Sequence, residues 1–450
     1  MHNDHDLTHG PLGRQILEFS VPLIFSNLLQ VVFNMSDIAV VGRFAGTLAL
    51  GAVGSTAILV TLFTGFLIGV GAGINVVAAH FLGADRAQDI RETVGTAFLL
   101  SALTGLVVMA AAELLTVPLL SVIGTRPELM QGAILYLRIY LTGMPALAFY
   151  NYGSAILSAA GDTRRPLFYL TAAGIVNVIL NLFFVIVLKI DVAGVAIASI
   201  VSEYLSALLV LRALRKEKDP LRLDLTILKP DPAKASMILK LGIPSGFQGA
   251  IFAIANLFIQ AGVNSFDTVM VAGNSAAVNT DSIVYNAMGA FYTACSSFMG
   301  QNYGAGDRDR TIRSFWWSQG YSFATGALLG GLLLAFGRPF LHLFAEEEAV
   351  IDAGMLRLRI MCFSYAFSAP MDCTIAASRG LGKSFVPTVI VILGSCVFRV
   401  IWVYTVFAHF HTVPSLYLLY IFSWTITAAA ELIYFRKIWR EMRSGAGNFG

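Results

Sequence analysis

The chain has 450 residues, of which 57% are hydrophobic and only 13% charged, with a mean hydropathy of +0.74. A soluble globular protein carries roughly a quarter of its residues as charges, so a soluble enzyme is excluded and a polytopic membrane protein is the class to test. A net charge of +3 gives no reason to expect nucleic acid or an acidic polymer as partner. The four cysteines, Cys295, Cys362, Cys373 and Cys396, lie in apolar runs without CxxC or Cys/His ligand spacing, which excludes a zinc or disulfide framework.

The first sixteen residues are polar and mixed in charge. They lack the basic start and small-residue cleavage site of a signal peptide, so the first span is expected to stay in the mature chain. Stretches without Asp, Glu, Lys or Arg then succeed one another at lengths that cross about 30 Å of hydrocarbon as helix. Twelve spans are predicted, near 17–41, 48–80, 93–114, 134–158, 166–188, 193–213, 237–262, 272–301, 313–336, 353–378, 384–408 and 413–435. Three carry single charges: Glu203 in the sixth, Asp372 in the tenth and Arg399 in the eleventh.

Placing both termini in the cytoplasm puts 22 of the Lys and Arg residues on inside segments. Only Arg43, Arg126, Arg138, Lys189, Arg338, Arg357 and Arg359 fall at outside ends, and Arg399 is the one cation placed deep in a span. That asymmetry sets the orientation. The expected location is the plasma (inner) membrane, multi-pass.

The longest polar connection, at 212–240, falls at the midpoint and reads as a linker between bundles. An offset of 222 residues pairs Pro22 with Pro244, Asn34 with Asn256, and Asp85, Arg86 and Arg91 with Asp307, Arg308 and Arg313. The expected organisation is an N-lobe of six helices over 1–213, a cytoplasmic linker over 214–236, a C-lobe of six helices over 237–436 and a cytoplasmic tail over 437–450. Six spans per half leave both halves pointing the same way, a repeat about the membrane normal with a cavity between lobes, which is transporter architecture.

An ionisable group in mid-span costs about 2.5 to 3.5 kcal/mol on insertion scales, so each marks a functional position by default. In the first span Asn27, Gln30, Asn34 and Asp37 are spaced 3, 4 and 3 apart and form one stripe on an otherwise apolar helix. That face must meet protein or water. The competing reading, an acid parked at the outer interface before Arg43, leaves the stripe beneath it unexplained.

Asn177 and Asn181 at i and i+4 in the fifth span, with Ser199, Ser202 and Glu203 in the sixth, complete a possible pocket of oxygen ligands with Asp37, suited to a proton or a sodium ion. Glu203 reads equally well as a structural hydrogen-bond partner. In the second half Asn256, Gln260 and Asn264 share one face, and Tyr365, Ser368 and Asp372 another. Asp372 either attracts a cationic substrate or neutralises Arg399, and the structural pair is the favoured reading. Asp267 and Asp281 read as groups at the outer mouth. Gly65, Gly69 and Gly73 form a GxxxGxxxG packing ridge. No paired carboxylates or Ser/His/Asp set suits a membrane enzyme.

The segments VPLIFSNLLQVVFNMSDIAVVG at 21–42, LGADRAQDIRE at 82–92, SAAGDTRRP at 158–166, GIVNVILNLFFV at 174–185, GVAIAS at 194–199, GIPSGFQ at 242–248 and MGQNYGAGDRDR at 299–310 resemble the multidrug and toxic compound extrusion (MATE) family over nearly the whole chain. The resemblance implies an all-α fold of twelve transmembrane helices in two pseudo-symmetric six-helix bundles arranged as a V. It also implies export of organic cations driven by inward flow of Na+ or H+.

Residue by residue, Asp37 matches the first-helix acid, Asn177 the fifth-helix Asn and Ser199 a sixth-helix hydroxyl. Asn181 departs from the Asp many members carry, the seventh-helix Glu of some members is absent, and the tenth-helix Asp of others has no secure counterpart in Asp372. The expected function is a secondary antiporter for amphipathic cationic or zwitterionic molecules. Ion coupling is placed at Asp37, Asn177, Asn181, Ser199 and Glu203, with transient Na+ at Asp37 and Asn177. Substrate contacts are placed at Gln30, Asn34, Asn256, Gln260, Tyr365 and Asp372. No cofactor, no resident metal and no nucleic acid are expected, membrane lipid is the surrounding partner, and the protein is expected to be a monomer. A lipid-linked oligosaccharide flippase is the alternative, disfavoured because Arg138 and Arg399 are too few for a pyrophosphate.

Overall fold

The computed structural model describes residues 6–226, 228–342, 345–444 and 449. Among the described residues the regular structure is entirely helical. Twelve successive segments cover it: α1 Leu12–Ala45, α2 Thr47–Gly83, α3 Ala87–Val122, α4 in two limbs Pro127–Leu141 and Met144–Ala159, α5 Arg164–Val187, α6 Asp191–Lys216, α7 Pro232–Val263, α8 Thr268–Gly304, α9 Arg308–Leu341, α10 Glu348–Gly380, α11 Phe385–Phe410 and α12 Val413–Arg443. The expectation of an all-α polytopic membrane protein holds.

Ten of these segments are long and apolar enough to cross a membrane, and α4 adds an eleventh if its limbs, bent by 44°, form one span. The bend falls at Thr142–Gly143, ahead of Pro145, whose ring cannot continue a regular helix behind it. The remaining segment, α8, runs for 37 residues but carries Asn274, Asn279, Thr280, Asp281 and Asn286, which lowers its apolarity. A helix of that length is about 55 Å long, so its ends project well past the hydrocarbon.

Sequence periodicity missed short π-helical stretches at Val41–Ala45 in α1, Phe183–Val187 in α5, and Ile392–Val397 and Val403–Phe407 in α11. Each widens the helix by a residue and rotates the turns beyond it, a feature frequent at functional positions. Local chemistry sets the helix starts. Asp267 and Asp307 cap α8 and α9 by accepting from Met270 N and Arg310 N at 2.8 Å, and Thr412 with Ser415 forms a reciprocal capping box at α12.

The chain divides into two compact units, one comprising Phe25–Ala250 and the other Leu7–Ile24 with Ile251–Gly450. The opening turns of α1 therefore pack with the second unit, where Arg310 Nη1 donates to Gly10 O at 2.8 Å and Nη2 donates to Gln15 Oε1 at 2.7 Å. The opening turns of α7 pack with the first. There the buried Lys234 ammonium pairs with Asp89 and lies 4.2 Å from the Phe81 ring centre. The polar connection between α6 and α7 is tied back to the same region. Arg91 Nε donates to Asp219 Oδ1 at 2.7 Å, and this hydrogen bond holds the Asp219 carboxyl below the usual carboxylate range.

Within the first unit, the glycine ridge of α2 lies against α7. A Cβ on Gly73 would sit 2.7 Å from Gly242 N and Ile238 O, and one on Gly69 would run into the Gly246 backbone. Backbone on backbone leaves no flexible side chain to move aside. Gly65 departs from the expected ridge, since a Cβ there meets nothing within 4 Å. Overpacking a tight contact costs about 1–3 kcal/mol. Gly73→Ala is expected to lower the thermal unfolding midpoint in detergent, while Gly65→Ala leaves it within error; equal shifts for the two would contradict the packing described.

Candidate functional site

The first unit gathers the expected coupling residues. Asp37 lies on α1 one turn before that helix widens at Val41, and Asn177 and Asn181 occupy successive turns of α5 before it widens at Phe183. Asn181 Nδ2 donates to Asp37 Oδ1 and, at 3.2 Å, to Asn177 Oδ1. Ser199 Oγ on α6 lies 3.3 Å from Asp37 Oδ2, within donating distance, and itself accepts from Asn177 Nδ2 at 3.5 Å. Asn177, Asn181 and Ser199 are buried and Asp37 is half-buried. One carboxylate is thus held by an amide and a hydroxyl, both of which are oriented by Asn177.

The donor set fits a hard monovalent cation or a proton. Both Asp37 oxygens, Asn177 Oδ1 and Ser199 Oγ lie together, and Asn181 Oδ1 is buried without a hydrogen-bond partner. An orphaned buried carbonyl beside a carboxylate is costly unless a donor or a cation reaches it. Among the described residues no three His, Cys, Asp or Glu side chains come together as a transition-metal site.

Glu203 stands apart from this hydrogen-bonded group. Its Oε2 is buried without a partner and lies where a Cβ on Gly143 would fall, so it packs against the break in α4. The next residue reaches the same break, Tyr204 donating its hydroxyl to Thr142 O at 3.0 Å. Gln30 and Asn34 are exposed on α1 in the turns before Asp37.

The second unit holds a network that the sequence reading did not pair. Asp281, expected at the outer mouth, is 8% exposed within α8, and Arg357, expected at an outside end, is 5% exposed within α10. Arg357 donates to Asp281 Oδ2 through Nε at 3.1 Å and Nη2 at 2.6 Å, while Tyr365 donates to Asp281 Oδ1. Tyr365 is fully buried with its hydroxyl committed to Asp281.

Arg357 Nη1 also donates to Asn274 Oδ1 at 2.6 Å, Tyr417 donates to the same oxygen at 2.7 Å, and Asn274 Nδ2 donates to Gln260 Oε1 at 3.5 Å. Gln260 passes the chain on to Asn264 Oδ1 at 2.8 Å. Asn256 is exposed on α7 a turn before Gln260.

Asp372 and Arg399 make no salt bridge or hydrogen bond, although the two charges lie within electrostatic reach of each other. Asp372 Oδ2 has no hydrogen-bond partner, and Arg399 donates to Ser423 Oγ at 3.4 Å. Its guanidinium lies 4.7, 5.4 and 5.8 Å from the ring centres of Tyr420, Phe252 and Trp424. An aromatic cage thus meets this cation where a carboxylate was expected. Sequence reading also passed over Glu431, which is fully buried on α12 with both carboxylate oxygens unpartnered. Its position inside the last predicted span was the available signal.

Comparison with known proteins identifies the family. The MatE family model matches residues 22–183 and 244–405, one stretch in each half of the chain. The Bacillus subtilis (strain 168) protein named Probable multidrug resistance protein YoeA is 27% identical over 387 residues, covering 84% of this chain and 83% of its own length. Probable multidrug resistance protein YpnP of the same organism is 29% identical over 366 residues, covering 81% of each. A solved structure of a MOP superfamily transporter from Pyrococcus furiosus superposes with a TM-score of 0.91 at 20% identity, over 98% of this chain and 99% of that one. At that identity the structure speaks for the fold alone. With the family match spanning both halves, the chain belongs to the MatE family and is a multi-pass membrane transporter of the multidrug and toxic compound extrusion type, not an enzyme.

Proposed function

We propose that the protein is a secondary antiporter of the plasma (inner) membrane that exports amphipathic cationic or zwitterionic small molecules in exchange for Na+ or H+. On this reading it acts as a monomer with both termini in the cytoplasm, no resident cofactor, and alternating access produced by rocking of one six-helix lobe, 1–213, against the other, 237–436. The observation that carries it is the Asp37 carboxylate, held in mid-helix by Asn181 and Ser199 beside the orphaned Asn181 carbonyl. The names of YoeA and YpnP support multidrug substrates.

The chemistry rests on the cost of charge in a low-dielectric bundle. With Asp37 ionised, the Asn181 amide and the Ser199 hydroxyl both donate to it and draw α5 and α6 toward α1. A proton or Na+ neutralises the carboxylate and competes for those lone pairs, loosening one helix packing relative to another. An ion drives a conformational change only by its differential affinity for the two packings, and a site where three helices share one charge supplies that difference. Asn181 keeps its amide form throughout, so Asp37 carries the only titratable charge in this group.

The flippase alternative loses ground. A pyrophosphate needs free cations, whereas Arg138 pairs with Glu113 at 3.7 Å, Arg357 with Asp281, and Arg399 is enclosed by rings.

Reconstituted protein is expected to expel a fluorescent lipophilic cation when an inward Na+ or H+ gradient is imposed, without ATP. Asp37→Asn is expected to abolish the gradient-driven component. Equal efflux by parent and variant would remove Asp37 from coupling, and a requirement for ATP would sink secondary transport itself. Orientation is separately testable because all four native cysteines are buried. Cysteine placed at Glu346 is expected to react with an impermeant maleimide on intact cells, and cysteine at Lys218 only after permeabilisation. The reverse pattern would invert the topology.

A further inference from the structure

The exposed face of α6 changes character at its C-terminal end. Val201, Tyr204 and Leu208, spaced 3 and 4 apart, are 44, 42 and 63% exposed and form one stripe on a helix long and apolar enough to span a membrane. An exposed apolar stripe on such a helix meets acyl chains. Arg212 and Arg215 continue the same stripe at the next 4 and 3 positions, both exposed, with Lys216 beside them in the last turn. They stand where hydrocarbon gives way to headgroups, the level to which long basic side chains extend. Beyond the helix the chain doubles back: Leu223 N donates to Leu214 O at 3.0 Å, which brings Arg222 beside Arg215, and both guanidinium groups face Asp224.

The acids of this segment are already engaged. Glu217 pairs with Arg165, which also holds Asp162, and Asp219 pairs with Arg91. Asp224 Oδ1 accepts from the Thr226 hydroxyl at 2.6 Å and from its N–H at 2.9 Å. Arg212, Arg215, Lys216, Lys218 and Arg222 are exposed and make no salt bridge among the described residues. Leu225, 44% exposed, adds an apolar side chain next to them. Membrane orientation requires cations on inside loops, but it does not require that neighbouring acids be paired off or that the cations prolong the acyl-facing stripe.

We infer that the end of α6 and the turn folded back on it, from Arg212 to Leu225, form a binding surface for anionic phospholipid headgroups. Guanidinium groups bond phosphate oxygens in bidentate fashion, and the stripe at Val201, Tyr204 and Leu208 receives the acyl chains of the same molecule. A soluble phosphate meets the same cations but gains nothing from that stripe, so a lipid is the occupant the surface fits. The inference goes beyond the antiport reading and is independent of it, since it concerns neither the coupling ion nor the exported molecule.

Native mass spectrometry of the purified protein titrated with phosphatidylglycerol and phosphatidylcholine tests it. The parent is expected to bind phosphatidylglycerol more tightly, and added KCl is expected to weaken that preference. The combined substitutions Arg215→Gln, Lys216→Gln and Arg222→Gln are expected to weaken phosphatidylglycerol binding by about a hundredfold, at about fivefold per cation, and to leave phosphatidylcholine binding unchanged. Arg215→Lys with Arg222→Lys keeps the charge and is expected to keep the preference. A parent that binds the two lipids equally overturns the inference, as does a triple variant with the parent's preference. Inorganic phosphate that displaces phosphatidylglycerol more effectively than chloride of equal ionic strength would reassign the surface to a soluble phosphate and overturn the lipid. No transport is measured, so failure here is distinguishable from failure of the antiport reading.

Discussion

A carboxylate inside an apolar helix bundle is tolerable only where other groups satisfy it. Asp37 meets that condition through Asn181 and Ser199, which come from two other helices. The consequence reaches beyond the residue. Because its donors sit on α5 and α6, one carboxylate ties three helices together, and under the antiport reading proposed above a bound proton or cation would act on all three at once. The π-helical turns just after Asp37 on α1 and Asn181 on α5 belong to the same design, since each offsets the helix just past the residue that must face inward.

The two units solve the same problem in different ways. In the first, one acid is held by neutral donors and an amide carbonyl is left over, a composition that accepts an incoming positive charge. In the second, Asp281 is neutralised by Arg357 and capped by Tyr365, so that carboxylate already has its partners. A buried ion pair of this kind is weak evidence for stability, because desolvation offsets most of its attraction. Its stronger effect is orientational: a guanidinium with five fixed donors dictates which way every amide in contact with it turns. Arg399 shows a third solution, a cation lodged among rings with one hydroxyl partner.

Most of the fold was legible in the sequence because span length and the spacing of polar residues are one-dimensional signals. Asn27, Gln30, Asn34 and Asp37 read as a stripe, Asn177 and Asn181 as a pair one turn apart, and the structure places Asp37, Asn177, Asn181 and Ser199 within one hydrogen-bonded group. The features that could not be read depend on partners distant in the chain. Asp281 and Arg357 were assigned to outer ends because each lies near the edge of a charge-free run. Their burial comes from each other, since α8 and α10 bring the two side chains together as an ion pair. The same logic made Asp372 and Arg399 look like partners, as the two charges left over in neighbouring spans; cation–aromatic contact has no periodicity to reveal it.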